Sequence, residues 1–341
     1  MRNKVIRNVL LVILLLGLIF SVLWFVYPKY RLSEEYPQPS GEFEIQGLMW
    51  SPIAYYYNPF IYQSVYNPIA NANVINDVKM NGSDYVLMKA FYSGNAEGEI
   101  LGDEEDLEPR LVEAIESAHE NNLKVLLIPF VDSHDYWVLK EWTLAPDDWT
   151  QVVLKWARFA EENDVEMFCP GVEMNLIFDD EESGVWMKEI LPQIREVYSG
   201  LVTTAEHPYL DKWENVDNAG GFAGYDCVGM AVFPVRKYEG NEWDIRSMDD
   251  LREEFEKDAQ MVTDTAETNG IDCKLVVPFG VDFWNGEYPD AEKRAEMYNM
   301  GLDVFREYDF TGVFFQIWQS ESDFPNVSEE VGGMLQERWV E

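Results

Sequence analysis

Five stretches of the sequence end an apolar run in acids, amides or indoles: Val131-Asp132-Ser133-His134-Asp135-Tyr136-Trp137, Pro170-Gly171-Val172-Glu173-Met174-Asn175, Thr203-Thr204-Ala205-Glu206-His207, Phe279-Gly280-Val281-Asp282-Phe283-Trp284 and Gln316-Ile317-Trp318-Gln319. Carboxyl groups gathered in this way can pass protons to and from a bond under attack, provided that burial or a neighbour keeps one of them protonated. Indole faces stack on the CH groups of a neutral polyol, and carboxylates accept its hydroxyl hydrogens. Almost no cation accompanies these residues, so a phosphate or carboxylate substrate would be repelled and an uncharged sugar fits. Glu173 leads the candidates, because an isolated carboxylate ending an apolar strand is costly to bury without a purpose. Asp282 is the second candidate catalytic carboxyl, and Trp50, Asp132, His134, Trp137, Asn175, Glu206, Trp284 and Trp318 are candidate substrate-binding residues. Plainer roles stand beside these: core packing for any single Trp, helix capping for Asp282, and a loop brace for Asp132. The three histidines, His119, His134 and His207, are too scattered for a His-rich metal site, and no metal or cofactor is implied.

The chain has 341 residues, with 63 Asp plus Glu against 25 Lys plus Arg, a formal charge of −38. That charge excludes a nucleic-acid partner, which needs clustered cations. With 47% apolar and 14% aromatic residues the chain has ample material for a large core, so its acidity is a surface property and not a sign of disorder. It suits a salt-rich milieu or the outside of a cell. Cys169, Cys227 and Cys273 lie far apart, without CxxC spacing, and read as buried structural thiols.

The elements that must carry the candidates are eight β-rich runs: Glu44–Ser51, Asp84–Phe91, Lys124–Val131, Val165–Glu173, Leu201–Glu206, Cys227–Phe233, Lys274–Val281 and Gly312–Trp318. Helical patterns stand between many of them, as at Leu107–Asn122, Asp147–Asn163, Gly184–Tyr198, Met248–Asn269 and Asp290–Tyr308, and several end in Asn-Asn, Asn-Asp or Asn-Gly, which is helix-stop chemistry. Runs such as Lys124–Val131 are apolar on both faces, as parallel strands covered by helices must be. Eight such units in about 290 residues predict an α/β fold, a (β/α)8 TIM barrel, whose site lies at the carboxyl ends of the strands. A doubly wound open sheet is the alternative, but the glycine-rich loop expected after its first strand is missing. The acid runs Asp103–Asp106 and Asp179–Glu182 read as solvated loops. Asn81-Gly82-Ser83 and Asn326-Val327-Ser328 are glycosylation sequons of the kind chance often produces.

Residues 9–27 form an apolar run closed by Trp24-Phe25-Val26-Tyr27 and preceded by Arg2, Lys4 and Arg7. At 1.5 Å per residue this run is long enough for one N-terminal transmembrane helix, and its end resembles an interface belt more than a cleavage site. The expected organisation is a basic cytoplasmic end over 1–8, a transmembrane signal-anchor over 9–27, a linker over 28–42 and the barrel domain over 43–341, held outside the cytoplasm at the cell membrane. A cleaved signal would export the same domain.

Gly47-Leu48-Met49-Trp50-Ser51-Pro52, Pro129-Phe130-Val131-Asp132, Gly171-Val172-Glu173 and Phe315-Gln316-Ile317-Trp318-Gln319, in this order, resemble the clan A glycoside hydrolases, and most of all family 113, the β-mannanases. The stretch from Trp186 to Thr204 resembles the one that follows the acid/base in that family. The resemblance runs over about residues 44–320. It implies hydrolysis of a β-linked oligo- or polysaccharide by two carboxyl groups with retention, and it assigns the acid/base to Glu173. It also implies a Glu nucleophile on the seventh strand, where this chain has Val277-Pro278-Phe279-Gly280; Asp282, of the same strand parity as Pro278, is the replacement expected, with Glu206 and Glu287 as alternatives. A barrel that binds a saccharide or scaffolds a surface assembly without turnover is the second reading, and Pro278 is its best support.

Overall fold

The computed structural model describes residues 36–50, 68–94, 100–101, 104–132, 145–178, 180–233, 247–281, 290–316 and 329–340. In chain order the elements are β1 (Ile45–Trp50), α1 (Pro68–Met80), β2 (Tyr85–Gly94), β3 (Ile100–Leu101), α2 (Glu104–Glu120), β4 (Lys124–Asp132), α3 (Pro146–Glu162), β5 (Met167–Phe168), α4 (Met174–Ile177), α5 (Asp180–Arg195), β6 (Leu201–Val202), α6 (Leu210–Asn218), β7 (Cys227–Val232), α7 (Met248–Asn269), β8 (Cys273–Phe279), α8 (Ala291–Glu307), β9 (Gly312–Phe315) and α9 (Glu329–Trp339). Eight strands pair in the order β6-β5-β4-β2-β1-β9-β8-β7, all parallel, while β3 adds an antiparallel turn to β2. Two parallel bridges, Thr203 to Cys227 and Glu206 to Met230, join β6 to β7 and close the ring. The fold is therefore the (β/α)8 barrel expected from the sequence.

Alternation along each strand divides the apolar side chains into two layers. Met49, Leu87, Ile128, Met167, Leu275 and Val277 fill the ring, while Leu48, Val86, Leu127, Phe168, Val228 and Val276 pack outward on the helices. At the amino ends, the residue before every second strand ties itself to the strand before it. Asp84, Glu166, Asp226 and Thr311 accept the backbone N–H of Gln46, Val125, Val202 and Lys274 at 2.8, 2.8, 2.7 and 3.2 Å. Each of these N–H groups belongs to the second residue of its strand, and leaving one without a partner would cost about 1–3 kcal/mol when buried. Helix boundaries follow local chemistry. Ser247 and Asp290 cap α7 and α8 by accepting from the backbone N–H three residues on, and Asn122, Asp164, Gly270 and Asp309 take positive φ just past α2, α3, α7 and α8.

The β6–β7 seam is tight because Gly229 has no side chain. Glu206 N–H donates to the Gly229 carbonyl at 3.1 Å, the Gly229 N–H donates to Thr204 Oγ1 at 2.9 Å, and a methyl on Gly229 would stand 2.0 Å from the Thr204 carbonyl oxygen. Gly229→Ala is expected to destabilise the protein by about 2–3 kcal/mol, read as a lowered denaturant midpoint; an unchanged midpoint would show that the seam has slack.

Two expectations are corrected here. Cys227 and Cys273 are not thiols: they form a disulfide between β7 and β8, and Cys169 is the free, buried cysteine. Residues 104–106 and 180–182 are not loops but begin α2 and α5, where the helix dipole favours acids. Asn81 of the first sequon is buried with its amide donating to the Asp77 carbonyl at 2.7 Å, which leaves no accessible acceptor for a glycan and agrees with a chance occurrence. Asn326 and the apolar segment 9–27 lie outside the described residues. No helix among the described residues is long and apolar enough to cross a membrane.

Candidate active site

Beyond Phe168 the chain leaves the sheet. Gly171 lets it turn against Met174, and Glu173 then takes a left-handed conformation, φ 56° and ψ 36°, as the residue before α4. For a residue with a Cβ this costs on the order of 1 kcal/mol and persists only where the surroundings fix it. Here they do. The Glu173 N–H donates to the Ala205 carbonyl at 2.8 Å, and the Glu173 carbonyl accepts from the Leu176 N–H at 2.8 Å. The side chain of Glu173 retains 14% exposure, and its Oε1 stands 3.9 Å from His207 Nε2.

Asn175 and Glu206 support this arrangement from behind. Both ends of the Asn175 amide are used on the backbone of His207: Nδ2 donates to its carbonyl at 2.8 Å and Oδ1 accepts its N–H at 3.0 Å. The Asn175 N–H donates to Glu206 Oε2 at 2.7 Å. Asn175 is 1% exposed and Glu206 2%, and their hydrogen bonds hold the loop that carries Glu173. Trp50, expected on the cleft wall, is 3% exposed and packs in the outer apolar layer. Asp132 closes β4 opposite Ser93, its side chain lying outside the described residues, as do His134, Trp137, Asp282, Trp284, Glu287 and Trp318.

Burial governs the ionisation of this group. It pushes the Glu206 carboxyl up to about 8, partly opposed by the Asn175 N–H and reinforced by the charge of Glu173. It pushes His207 down to about 4, so the ring beside Glu173 is neutral at pH 7 and their contact is polar rather than ionic. His207 lies against Tyr209, with ring centroids 4.0 Å apart.

The far wall explains the divergent motif. Between Val276 and Phe279, β8 carries one more residue than either neighbour, a bulge spanning Val277 and Pro278. From Cys273 to Val281 the strand and its end offer no carboxylate. Gly280 is required there, because a Cβ would stand 2.5 Å from the Phe233 ring and 3.0 Å from Gln316 Oε1, an oxygen buried without a partner among the described residues. One inward group went unnoticed in the sequence. Lys89, 4% exposed, alternates with inward Leu87 and pairs with inward Ile128, and its Nζ lies 3.9 Å from the centre of the Phe130 ring. A lone Lys of inward parity in an apolar strand was the available signal. Among the described residues no group of His, Cys, Asp and Glu could hold a metal ion.

A parallel ring with a strained Glu in the turn that follows its fourth strand invites comparison with known proteins. A profile described as Glycoside Hydrolase Family 113 matches residues 97–330. No curated protein matches. Among solved structures, a GH113 β-1,4-mannanase complex is 16% identical, covering 81% of this chain and 88% of its own at a TM-score of 0.57. The GH113 β-mannanase AaManA from Alicyclobacillus acidocaldarius, in complex with ManMIm, is 14% identical, covering 87% and 96% at 0.60. An endo-1,4-β-D-mannanase from Thermotoga petrophila RKU-1 is 14% identical, covering 87% and 99% at 0.56. These likenesses support the barrel, and the profile, which spans more than half of the sequence, settles the family. The chain belongs to glycoside hydrolase family 113 and is, by that membership, an O-glycosyl hydrolase.

Proposed function

We propose that the protein cleaves a β-linked, mannan-like glycan outside the cell, anchored to the membrane through residues 9–27 with its basic end in the cytoplasm. Glu173 is the general acid/base and Asp282 the second carboxyl, with Asp132, His134, Trp137, Trp284 and Trp318 binding the sugar. The observation that carries this reading is Glu173 itself: a partly exposed carboxyl in the turn between the fourth barrel strand and α4, in a strained conformation braced by Ala205 and, through Asn175, by His207 and Glu206. Such strain is commonly kept where it positions a reacting group. The Cys227–Cys273 disulfide supports a location outside the reducing cytoplasm, and the charge of −38 is compatible with a cell surface.

Full-length protein in detergent should hydrolyse β-1,4-linked manno-oligosaccharides faster than gluco- or xylo-oligosaccharides, as measured by product chromatography. Binding of these sugars without turnover would overturn the hydrolase reading in favour of a saccharide-binding barrel, the role for which the carboxylate-free end of β8 speaks.

A further inference from the structure

We propose that Glu206 is a positioning residue for Glu173, acting through the backbone N–H of Asn175 rather than by touching substrate; the proposal rests on the acid/base reading of Glu173. The carboxyl sits behind the barrel wall. Ala205 faces the ring interior, and Glu206 bridges to Met230, which packs in the outer layer. Its backbone is fixed on both sides, with the N–H on the Gly229 carbonyl at 3.1 Å and the carbonyl on the Ala231 N–H at 2.9 Å. The side chain therefore projects from a rigid base toward the first turn of α4. There it accepts the Asn175 N–H at 2.7 Å, while Glu173 itself supplies no side-chain cap. The same Asn175 clamps His207, whose ring faces the Glu173 carboxyl. One buried acid thus braces the residue that joins both sides of the acid/base.

A Gln would supply the same acceptor without a titrating group, so the presence of an acid needs its own explanation. The ionisable groups that bear on Glu206 are Glu173 from the loop before α4, Cys169 from the end of β5 and Tyr225 from the residues before β7; burial pushes the thiol and the phenol upward, and His207 stays neutral. None of them is a cation. Glu206 therefore remains protonated across the neutral range and ionises near pH 8. While it is neutral, Glu173 gives up its proton without a second charge in the same dry region. Once Glu206 ionises, the proton affinity of Glu173 rises, because the two charges repel. The pH dependence of turnover then carries two linked titrations.

The test uses the full-length protein in detergent with β-1,4-mannohexaose. Glu206→Ala should lower kcat on the order of 10²-fold with KM within about threefold, because the acid is misplaced while the sugar-binding residues are untouched. Glu206→Gln should restore most of that loss, and the alkaline limb of kcat/KM, which in the wild type deviates from a single titration near pH 8, should follow a single titration in this variant. Equal losses in both variants, or a Glu206→Gln limb superimposable on the wild type, would overturn the proposal. If Glu206→Ala does not fold, the limb of Glu206→Gln decides alone. Glu173→Gln, run in parallel, separates the two ideas: retained activity there removes the acid/base reading, whereas lost activity beside indifferent Glu206 variants removes only the positioning role.

Discussion

Glu173→Gln is expected to lower kcat on a β-1,4-linked oligosaccharide about 10³-fold, within the range that general acid/base groups contribute. The substitution keeps the size and shape of the side chain and removes only the transferable proton. It should also leave the fold intact. The left-handed conformation is imposed by backbone bonds to Ala205 and Leu176, which Gln retains, and the side chain is not part of the apolar core. Steady-state kinetics beside a thermal melt check both halves, and a kcat within tenfold of the wild type would remove Glu173 from the chemistry.

Glu206→Gln is expected to stabilise the protein at pH 8 by about 3–5 kcal/mol and to have little effect at pH 4.5. The folded carboxyl protonates near 8, whereas in the unfolded chain it protonates near the ordinary 4.5. Between these values the folded state holds a proton that the unfolded state has released, so raising the pH favours unfolding by about 1.4 kcal/mol per unit until the folded group ionises too. Gln has nothing to titrate and escapes this loss. Glu206 is only 2% exposed, so solvent screens its charge little, and comparing the two proteins at one pH and one salt concentration cancels the repulsion among the other acids. A difference in urea midpoint that grows from pH 4.5 to pH 8 is the expected result; a difference independent of pH would mean that Glu206 titrates normally. A residue that destabilises the fold at neutral pH yet braces the acid/base fits the common conflict between stability and activity.

Much of this architecture was legible because local chemistry and tertiary structure agree. The run expected at Lys124–Val131 is a strand over 124–132, the helix expected at Met248–Asn269 has those bounds, and the Asn-rich stops coincide with residues at positive φ. Agreement failed where pairing depends on a neighbour. Only Met167–Phe168 and Leu201–Val202 form ladders in runs expected to be longer, because one chain turns at Gly171 toward Glu173 and the other crosses the seam by single bridges. Parity would have improved the site. With Ala205 inward, Glu206 must face outward, and with Leu87 inward, Lys89 must join it. The disulfide was also within reach, since Cys227 and Cys273 open consecutive parallel strands at matching heights. The brace between Asn175 and His207 was not legible: it joins residues 32 positions apart through a loop conformation that no periodicity encodes.

The most direct measurement compares leaving groups. A glycan leaves as a poor alkoxide unless it receives a proton, whereas a dinitrophenolate leaves without one. Glu173→Ala should therefore lose about 10³-fold in kcat/KM on a β-1,4-linked oligosaccharide but less than about tenfold on the dinitrophenyl glycoside of the same sugar. Equal losses on both substrates would contradict the account, because a residue that donates no proton cannot distinguish a leaving group that needs one from a leaving group that does not.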